Sequence, residues 1–142
     1  MSCIYCEWQT DYGLEPYVAN IQQMAVENEN FRIAIWTGKY LQMTLMSILP
    51  REEIGMEIHE NLDQFVRVEQ GMAFVEMKRK GKQRNFQQKM RQGDGVFIPA
   101  GTWHNIINIG EKELKLSSIY APPNHPMGTI HPTKEDAKRA EK

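Results

Sequence analysis

Runs of Ile, Val, Phe, Met and Leu alternate with glycine-bearing turns along most of the chain, from residue 31 to residue 121. Each unit spans roughly 8 to 17 residues, a rhythm typical of an antiparallel sandwich or barrel. The pattern therefore predicts an all-β fold, with strands at residues 31–37, 41–49, 55–59, 64–70, 72–78, 84–90, 95–99, 104–109 and 114–121.

The two ends of the chain carry the helix signals. Asn20 is a candidate N-cap, and Gln23 stands at the position that completes a capping box with it. Thr133 is followed three residues later by Asp136, which predicts a turn or two of polar helix. We therefore expect one short helix near each end of the chain.

The segment APPNHPMGTIHP, residues 121–132, joins the last predicted strand to the second helix. It contains too many prolines for a helix or a central strand, which predicts an ordered loop or an extended arm. Its histidines, His125 and His131, have two interpretations. Either they are surface residues, or the arm folds over a pocket mouth and supplies a polar contact or a proton shuttle.

The length of 142 residues predicts a single domain, because a chain of this size encloses one core of ordinary dimensions. Within it we expect an N-terminal arm and short helix at residues 1–30, the barrel at 31–121, and a proline-rich arm with a short C-terminal helix at 122–142. Hydrophobic residues make up 41% of the chain and charged residues 25%, which is the balance of a globular domain.

Charge and hydropathy argue against two classes of partner. The formal net charge is -1 and no basic face accompanies a nucleic-acid motif, so nucleic acid is not expected. No window reaches the roughly 18 apolar residues of a spanning helix, and the first residues lack the basic and apolar segments of a signal peptide. We therefore expect a cytoplasmic protein that does not bind a membrane.

The two cysteines, Cys3 and Cys6, have the C-x-x-C spacing of half a zinc site or of a redox pair. A zinc site needs two further ligands nearby, and a redox pair normally opens a helix after a strand. Neither context is visible in the sequence. The favoured interpretation is a pair of reduced thiols on a flexible arm, as expected in a reducing compartment.

The stretch GDGVFIPAGTWHN, residues 93–105, places glycine, proline and histidine directly behind a short apolar strand. Gly93 allows a tight turn into the strand, Pro99 ends the strand because it has no N–H for the ladder, and Gly101 lets the chain reverse. The next strand opens at His104, so this turn fixes the position of one imidazole. Such preorganisation is useful only if the imidazole coordinates or catalyses.

The stretch GMEIHENLDQFVRVEQG, residues 55–71, supplies a counterpart to that imidazole. Successive side chains of a strand alternate faces, so Glu57 and His59 are expected on one side, with Gln64 at the start of the following strand. Together with His104 they make a predicted cluster of two imidazoles and one or two oxygens. Two histidines and one carboxylate are the ligand set of non-haem iron(II) sites, and the set also suits manganese, nickel or zinc.

These residues resemble the two sequence motifs of the cupins. The second cupin motif, G-x5-P-x-G-x2-H-x3-N, is matched at every fixed position, by Gly93, Pro99, Gly101, His104 and Asn108. Of the first motif, usually G-x5-H-x-H-x3or4-E-x6-G, the chain keeps the second histidine as His59 and the closing glycine as Gly71. Glu57 stands in place of the first histidine and Gln64 in place of the glutamate.

The resemblance covers residues 40 to 121 and implies a small double-stranded β-helix barrel, often dimeric, with a divalent metal inside. The chain is similar to small bacterial single-domain cupins, some of which are labelled mannose-6-phosphate isomerase-like. Cupins host isomerases, dioxygenases, decarboxylases and pure binding domains on one scaffold, so the fold leaves the activity open.

The segment around Glu57 also predicts a dimer. Ile54, Met56 and Ile58 alternate with the candidate ligands and would form the opposite, apolar face of the same strand. If the polar face lines the barrel, this apolar face must be covered from outside, by the N-terminal segment or by a second subunit. We therefore expect a homodimer.

Two functions from different classes follow. The first is a metal-dependent enzyme, an isomerase or a dioxygenase, acting on a small oxygen-rich metabolite such as a sugar or a keto or hydroxy acid. Its iron, manganese, nickel or zinc ion would be held by Glu57, His59, Gln64 and His104. Its catalytic base would be His125, or Glu57 if that residue does not bind the metal. The alternative is a non-catalytic module that binds or senses a small ligand or a metal.

Overall fold

The computed structural model describes residues 10–79, 81 and 85–141. The two helices in this part of the chain are α1 (Ile21–Glu27) and α2 (Lys134–Ala140). The strands, in chain order, are β1 (Arg32–Thr37), β2 (Gln42–Ile48), β3 (Asp63–Gln70), β4 (Met72–Lys78), β5 (Phe86–Arg91), β6 (Gly95–Ile98), β7 (Trp103–Asn108), β8 (Leu114–Ala121) and β9 (Ile130–His131). Cys3 and Cys6 lie outside the described residues.

The strands form two antiparallel sheets that share one core. The larger sheet has six strands in the order β6-β3-β8-β2-β1-β9, and the smaller has three in the order β5-β4-β7. Strands far apart in sequence are neighbours, as when β3 pairs with both β6 and β8, which is the arrangement of a double-stranded β-helix. The predicted all-β architecture is therefore confirmed. None of the described helices is long and apolar enough to cross a membrane.

Apolar side chains fill one end of the barrel. Because successive side chains of a strand alternate faces, every second residue of β2, β3 and β8 points inward. Among these inward residues, Met46, Val68 and Leu116 are at most 2% exposed, and they share one buried cluster with Val75 and Ile106 of the smaller sheet. Removing apolar surface from water is the main favourable contribution to folding, so this end of the barrel supplies much of the stability.

Polar side chains occupy the other end of the same inward rows. Gln42 and Gln64 both pair in register with Tyr120, and Thr44 pairs with Ser118. All five residues are at most 6% exposed, so their polar atoms need partners inside the protein or from a bound ligand. This polar end is where a site is expected.

Helix α1 packs on the outer face of the larger sheet, where Ala25 lies in a buried cluster with Leu45. Its N-cap Asn20 accepts a hydrogen bond from the backbone N–H of Gln23 at 3.0 Å, as predicted. The predicted capping box is incomplete. Among the described hydrogen bonds, none joins the side chain of Gln23 to the backbone N–H of Asn20. The side chain of Gln23 turns along the helix instead, and its Nε2 donates to Glu27 at 3.2 Å.

The proline-rich arm contains a short strand, β9, that the hydrophobic pattern did not predict. It pairs with β1 and places His131 directly opposite Arg32. Without β9, β1 would be the edge of the sheet with unpaired backbone groups, which is the condition that favours addition of a strand. The arm then leads into the predicted short helix α2, which begins with a capping box between Thr133 and Asp136.

The segment at residues 55–59 is not a strand, contrary to the prediction. It makes one isolated bridge with β7, between Glu57 and His104. Gly55 has a φ of 104°, which lies in the left-handed region that favours glycine. This conformation interrupts the extended backbone between Ile54 and Met56, so these two side chains do not follow the predicted alternation, whereas Glu57 and His59 still lie on one side.

The apolar face predicted for this segment is wrong for the same reason. Ile54 packs against the barrel core, whereas Met56 is 43% exposed. The two side chains therefore do not belong to one continuous face that a second subunit would have to cover. The homodimer stays a prediction, but this particular argument for it does not hold.

Asn108 connects three backbone segments at the end of β7. Its Nδ2 donates to the carbonyl oxygens of Ile48 and Lys112, each at 2.9 Å, and its Oδ1 accepts from the N–H of Gly110 at 2.9 Å. Asn108 is 1% exposed, so water cannot replace these bonds if the side chain is removed. The last residue of the second motif therefore has a structural role.

Candidate metal centre

The turn between β6 and β7 places His104 inside the barrel. Strand β6 ends before Pro99, and Gly101 has a φ of 75°, so the chain reverses directly behind the strand. His104 is 3% exposed, and its Nδ1 lies 3.0 Å from the carbonyl oxygen of Thr102. This contact places a proton on Nδ1, so in the neutral imidazole Nε2 is the nitrogen that can bind a cation, whereas in the metal-free protein a proton on Nε2 can face Glu57.

Glu57 and His59 lie beside His104 because their segment is hydrogen bonded to β7 and to the turn before it. Glu57 and His104 exchange two backbone hydrogen bonds of 2.9 Å, and the N–H of Gly101 donates to the carbonyl oxygen of His59 at 2.8 Å. Nε2 of each histidine lies 3.5 Å from the same Glu57 oxygen, Oε1. One potential ligand atom from each of the three residues lies within 4.8 Å of the others.

The donor atoms of this cluster fit a divalent cation. Nε2 of His59 and Nε2 of His104 are buried and have no hydrogen-bond partner among the described residues. Leaving such a group unsatisfied costs about 1–3 kcal/mol. A cation placed between the two imidazoles and the carboxylate of Glu57 would satisfy all three side chains, and the donor set suits iron, manganese, nickel or zinc.

Gln64, the fourth predicted ligand, lies in the polar row of β3. Its Nε2 donates to Oγ of Ser118 at 2.8 Å, and its Oε1 is buried without a partner among the described residues. The amide oxygen is thus available to a ligand, but its contact with a shared metal stays a prediction. Asp63 does not replace the missing carboxylate, because it is exposed and its Oδ1 accepts from the N–H of Ala100 at 2.9 Å.

The charge of Glu57 is set by two opposing effects. Burial alone would raise the pKa of its carboxyl group, but the close contacts with the imidazoles of His104 and His59 outweigh burial and hold the pKa well below its ordinary value. Glu57 is therefore ionised at neutral pH. An anion between two imidazoles is the charge arrangement that a divalent cation requires.

The proline-rich arm lies at the mouth of the barrel and is held there by Gln42. Oε1 of Gln42 accepts from the backbone N–H groups of Asn124 and His125, at 3.1 and 2.9 Å, and its Nε2 donates to the carbonyl oxygen of His125 at 2.8 Å. The ring of Tyr120 lies 5.2 Å from that of His125 and 5.8 Å from that of His59. The ring of Tyr120 is therefore in contact with the imidazoles of both His125 and His59.

A cavity of about 610 Å³ opens beside His59, and its walls include Arg32, His125 and His131. Arg32 also lines a second cavity, of about 200 Å³, that reaches Glu57. Sequence reasoning singled out neither Arg32 nor Gln42. The sequence feature that could have identified Arg32 is a charged residue at an inward position of the largely apolar strand β1.

The environment of His125 predicts a pH-dependent stability. Burial, and secondarily the charge of Arg32, lower its pKa from 6.5 to about 3. The unfolded chain takes up this proton near the ordinary value, so protonation favours the unfolded state as the pH falls from about 6.5 toward 3. Its contribution is fully present above pH 6.5 and is lost on acidification.

We expect the His125→Gln variant to lose less stability than the wild type between pH 7 and pH 4. Urea unfolding of chelator-treated protein at pH 7, 5 and 4 measures the difference. The other titrating groups, including His131, are common to both proteins and cancel in the comparison. Equal losses in the two proteins would contradict a neutral, half-buried His125.

The barrel region matches a known family model in sequence. Residues 44–120 match the model described as cupin domain. The chain is also 53% identical over 131 residues to the uncharacterized protein YrkC of Bacillus subtilis (strain 168), in an alignment that spans 92% of this chain and 70% of the relative.

Solved structures with the same fold include one of high similarity. The crystal structure of BH2720 from Bacillus halodurans, at 1.41 Å resolution, matches with a TM-score of 0.87 and 51% identity, over 92% of this chain and 98% of that chain. KdgF from Halomonas sp. matches with a TM-score of 0.57 and 20% identity, over 66% of this chain and 80% of that chain. The second likeness shows the fold alone.

Proposed function

Because the chain belongs to the cupin family, we propose that it binds one divalent metal ion through His59, His104 and Glu57 and acts with it on a small oxygen-rich metabolite. A sugar, or a keto or hydroxy acid, is the substrate class, and isomerisation or dioxygenation is the reaction class. Gln64 is the proposed fourth ligand, or a hydrogen-bonding group for the substrate.

One observation supports this proposal most directly. Two buried Nε2 atoms, from His59 and His104, face a single ionised carboxylate oxygen at 3.5 Å, and neither has a hydrogen-bond partner among the described residues. Buried polar groups are normally paired, so such a group of unpaired donors and acceptors favours a ligand between them.

A divalent metal in this position supplies a Lewis acid for a carbonyl or hydroxyl oxygen, or redox chemistry if it is iron. The protein's own groups position it and handle protons. The carbonyl oxygen of Thr102 orients the His104 ring through Nδ1. Burial raises the pKa of Tyr120 still further above neutral, so its hydroxyl stays protonated at neutral pH. His125, which is neutral at that pH, is the proposed proton acceptor at the mouth, with Glu57 as the other candidate base.

The alternative is a non-catalytic module that binds or senses a metal or a small ligand. It needs only the cavity beside His59 and the metal cluster, and no positioned base. A base that cannot reach the bound substrate would leave binding as the function. Activity assays separate the two possibilities.

Metal binding by the Glu57→Gln variant tests the proposal. This change keeps the shape of the side chain but removes its charge. We expect wild-type protein purified without chelator to contain a metal ion. The variant should bind added Mn(II) or Fe(II) at least about 10- to 100-fold more weakly, because that loss is already seen when a group that only hydrogen bonds to a metal ligand is removed. Elemental analysis and titration of chelator-stripped protein measure both quantities. Equal affinities would contradict a metal held by Glu57.

Turnover distinguishes the enzyme from the binding module. Isomerisation of hexose phosphates, or oxygen uptake by iron(II)-loaded protein with keto and hydroxy acids, would support the enzyme. Thermal stabilisation by one of these compounds without turnover would support the module. Glu57→Gln should abolish the turnover, or the thermal stabilisation by the compound, if either depends on the bound metal.

A further inference from the structure

Arg32 is a buried cation without a counterion. It is 4% exposed, its Nε has no hydrogen-bond partner, and no carboxylate among the described residues forms an ion pair with it. Lys115, a second buried cation among the described residues, has the usual counterion, because its Nζ lies 2.9 Å from a carboxylate oxygen of Glu113. Charged side chains are almost never fully buried unless they are paired.

The backbone holds Arg32 at the mouth of the candidate site. It occupies an inward position of β1, and β9 places His131 opposite it in the ladder. Nη1 of Arg32 lies 3.3 Å from Nδ1 of His131, a contact that orients the guanidinium group. One edge of the group is thereby fixed, while Nε remains without a partner.

Both cavities at this end of the barrel touch Arg32. The larger one joins it to His59, and the smaller one joins it to Glu57. A small molecule in either cavity can therefore reach Arg32 and a residue of the metal cluster at the same time.

We propose that Arg32 binds a carboxylate group of the ligand, so that the chain takes a small carboxylic acid whose remaining oxygen atoms face the cluster of His59, His104 and Glu57. This inference rests on the proposed function for the metal, and adds to it the substrate class and the residue that selects it. A guanidinium group matches a carboxylate well, because its fork of N–H donors forms two parallel, charge-assisted hydrogen bonds.

The charges around the larger cavity favour a carboxylate over a phosphate. Burial and the charge of Arg32 lower the pKa of both His125 and His131, so neither adds a positive charge at neutral pH. Glu141 also lines the cavity and adds a negative charge. A single guanidinium balances the single charge of a carboxylate, whereas the second charge of a phosphate would lack a partner.

The test measures binding of glycolate and pyruvate to Mn(II)-loaded protein by calorimetry, with glycolamide as the uncharged probe and inorganic phosphate as the competing anion. We expect Arg32→Gln to weaken binding of the two acids by about 10- to 100-fold, the range for loss of charge-assisted hydrogen bonds. Binding of glycolamide and the affinity for Mn(II) should not change. Arg139→Gln, which removes an exposed guanidinium from α2, is the matched control and should bind the acids like the wild type.

Arg32→Lys provides a second variant that keeps the buried charge, in case the glutamine variant does not fold. It should bind the acids more weakly than the wild type, because an ammonium group lacks the planar fork. Three results would overturn the proposal: neither acid binds the wild type, Arg32 variants bind them normally, or phosphate binds more tightly than both acids. If Mn(II) does not bind but Arg32 still determines glycolate binding by metal-free protein, the proposed metal function fails and the carboxylate site stands.

Discussion

Replacing His104 with alanine is expected to abolish the response of the protein to divalent metals. Nε2 of His104 faces Glu57 and has no other partner among the described residues, and Thr102 fixes the orientation of the ring. Loss of a direct ligand should cost more than the about 10- to 100-fold in affinity that loss of an indirect partner costs. His104→Ala should therefore weaken metal binding more than a substitution such as Glu57→Gln, which keeps an oxygen atom that can still bind the metal.

The measurement is the melting temperature with and without metal. At a metal concentration about 100 times the dissociation constant, binding stabilises a protein by about 2.7 kcal/mol, or about 5–10 °C for a domain of this size. We expect this increase for the wild type and none for His104→Ala, whatever the melting temperature of the metal-free variant. His131→Ala, which removes an imidazole outside the cluster, should keep the full increase. A normal response of His104→Ala would rule out His104 as a ligand.

Replacing Asn108 with alanine is expected to reduce the free energy of unfolding by about 3 kcal/mol. The substitution removes three hydrogen bonds of 2.9 Å, one of them a buried bond to the carbonyl oxygen of Ile48. Asn108→Asp should be at least as damaging, because it keeps the acceptor for Gly110 but places a carboxylate against two carbonyl oxygens.

Urea unfolding at pH 7 on chelator-treated protein measures this loss without any contribution from a metal. Asn61→Ala is the matched control, since Asn61 is exposed and substitutions of exposed residues usually change stability by less than about 0.5 kcal/mol. A change of the same size in the two variants would show that the hydrogen bonds of Asn108 add no stability.

The sheet could be predicted from the sequence because its signals are local. Alternating apolar positions mark β2, β3, β4 and β8 one residue at a time, and the glycine and proline of residues 93–101 mark the turn that leads to His104. Because this turn fixes where the next strand begins, it also fixes the direction of the His104 side chain. The position of Glu57 and His59 on one side of their segment was predicted from their two-residue spacing, and both lie beside His104.

The remainder depends on contacts between distant segments. The hydrophobic pattern of residues 55–59 fits a strand, and only the conformation of Gly55 shows that the segment is irregular. The pairing of β9 with β1 depends on which edge of the sheet is open, and that is decided by the whole fold. Arg32 looked like an ordinary polar position of a strand, because its lack of a counterion is visible only when every neighbour has been placed.

The separation of apolar and polar side chains along the inward rows of β2, β3 and β8 has an evolutionary consequence. Mutations that change the chemistry at the mouth fall on side chains other than those that pack the opposite end, so a new specificity need not be acquired at the expense of folding. A lineage with this arrangement can exchange its reactive groups, as the glutamate at position 57 and the glutamine at position 64 illustrate against the usual motif, and still inherit an intact scaffold.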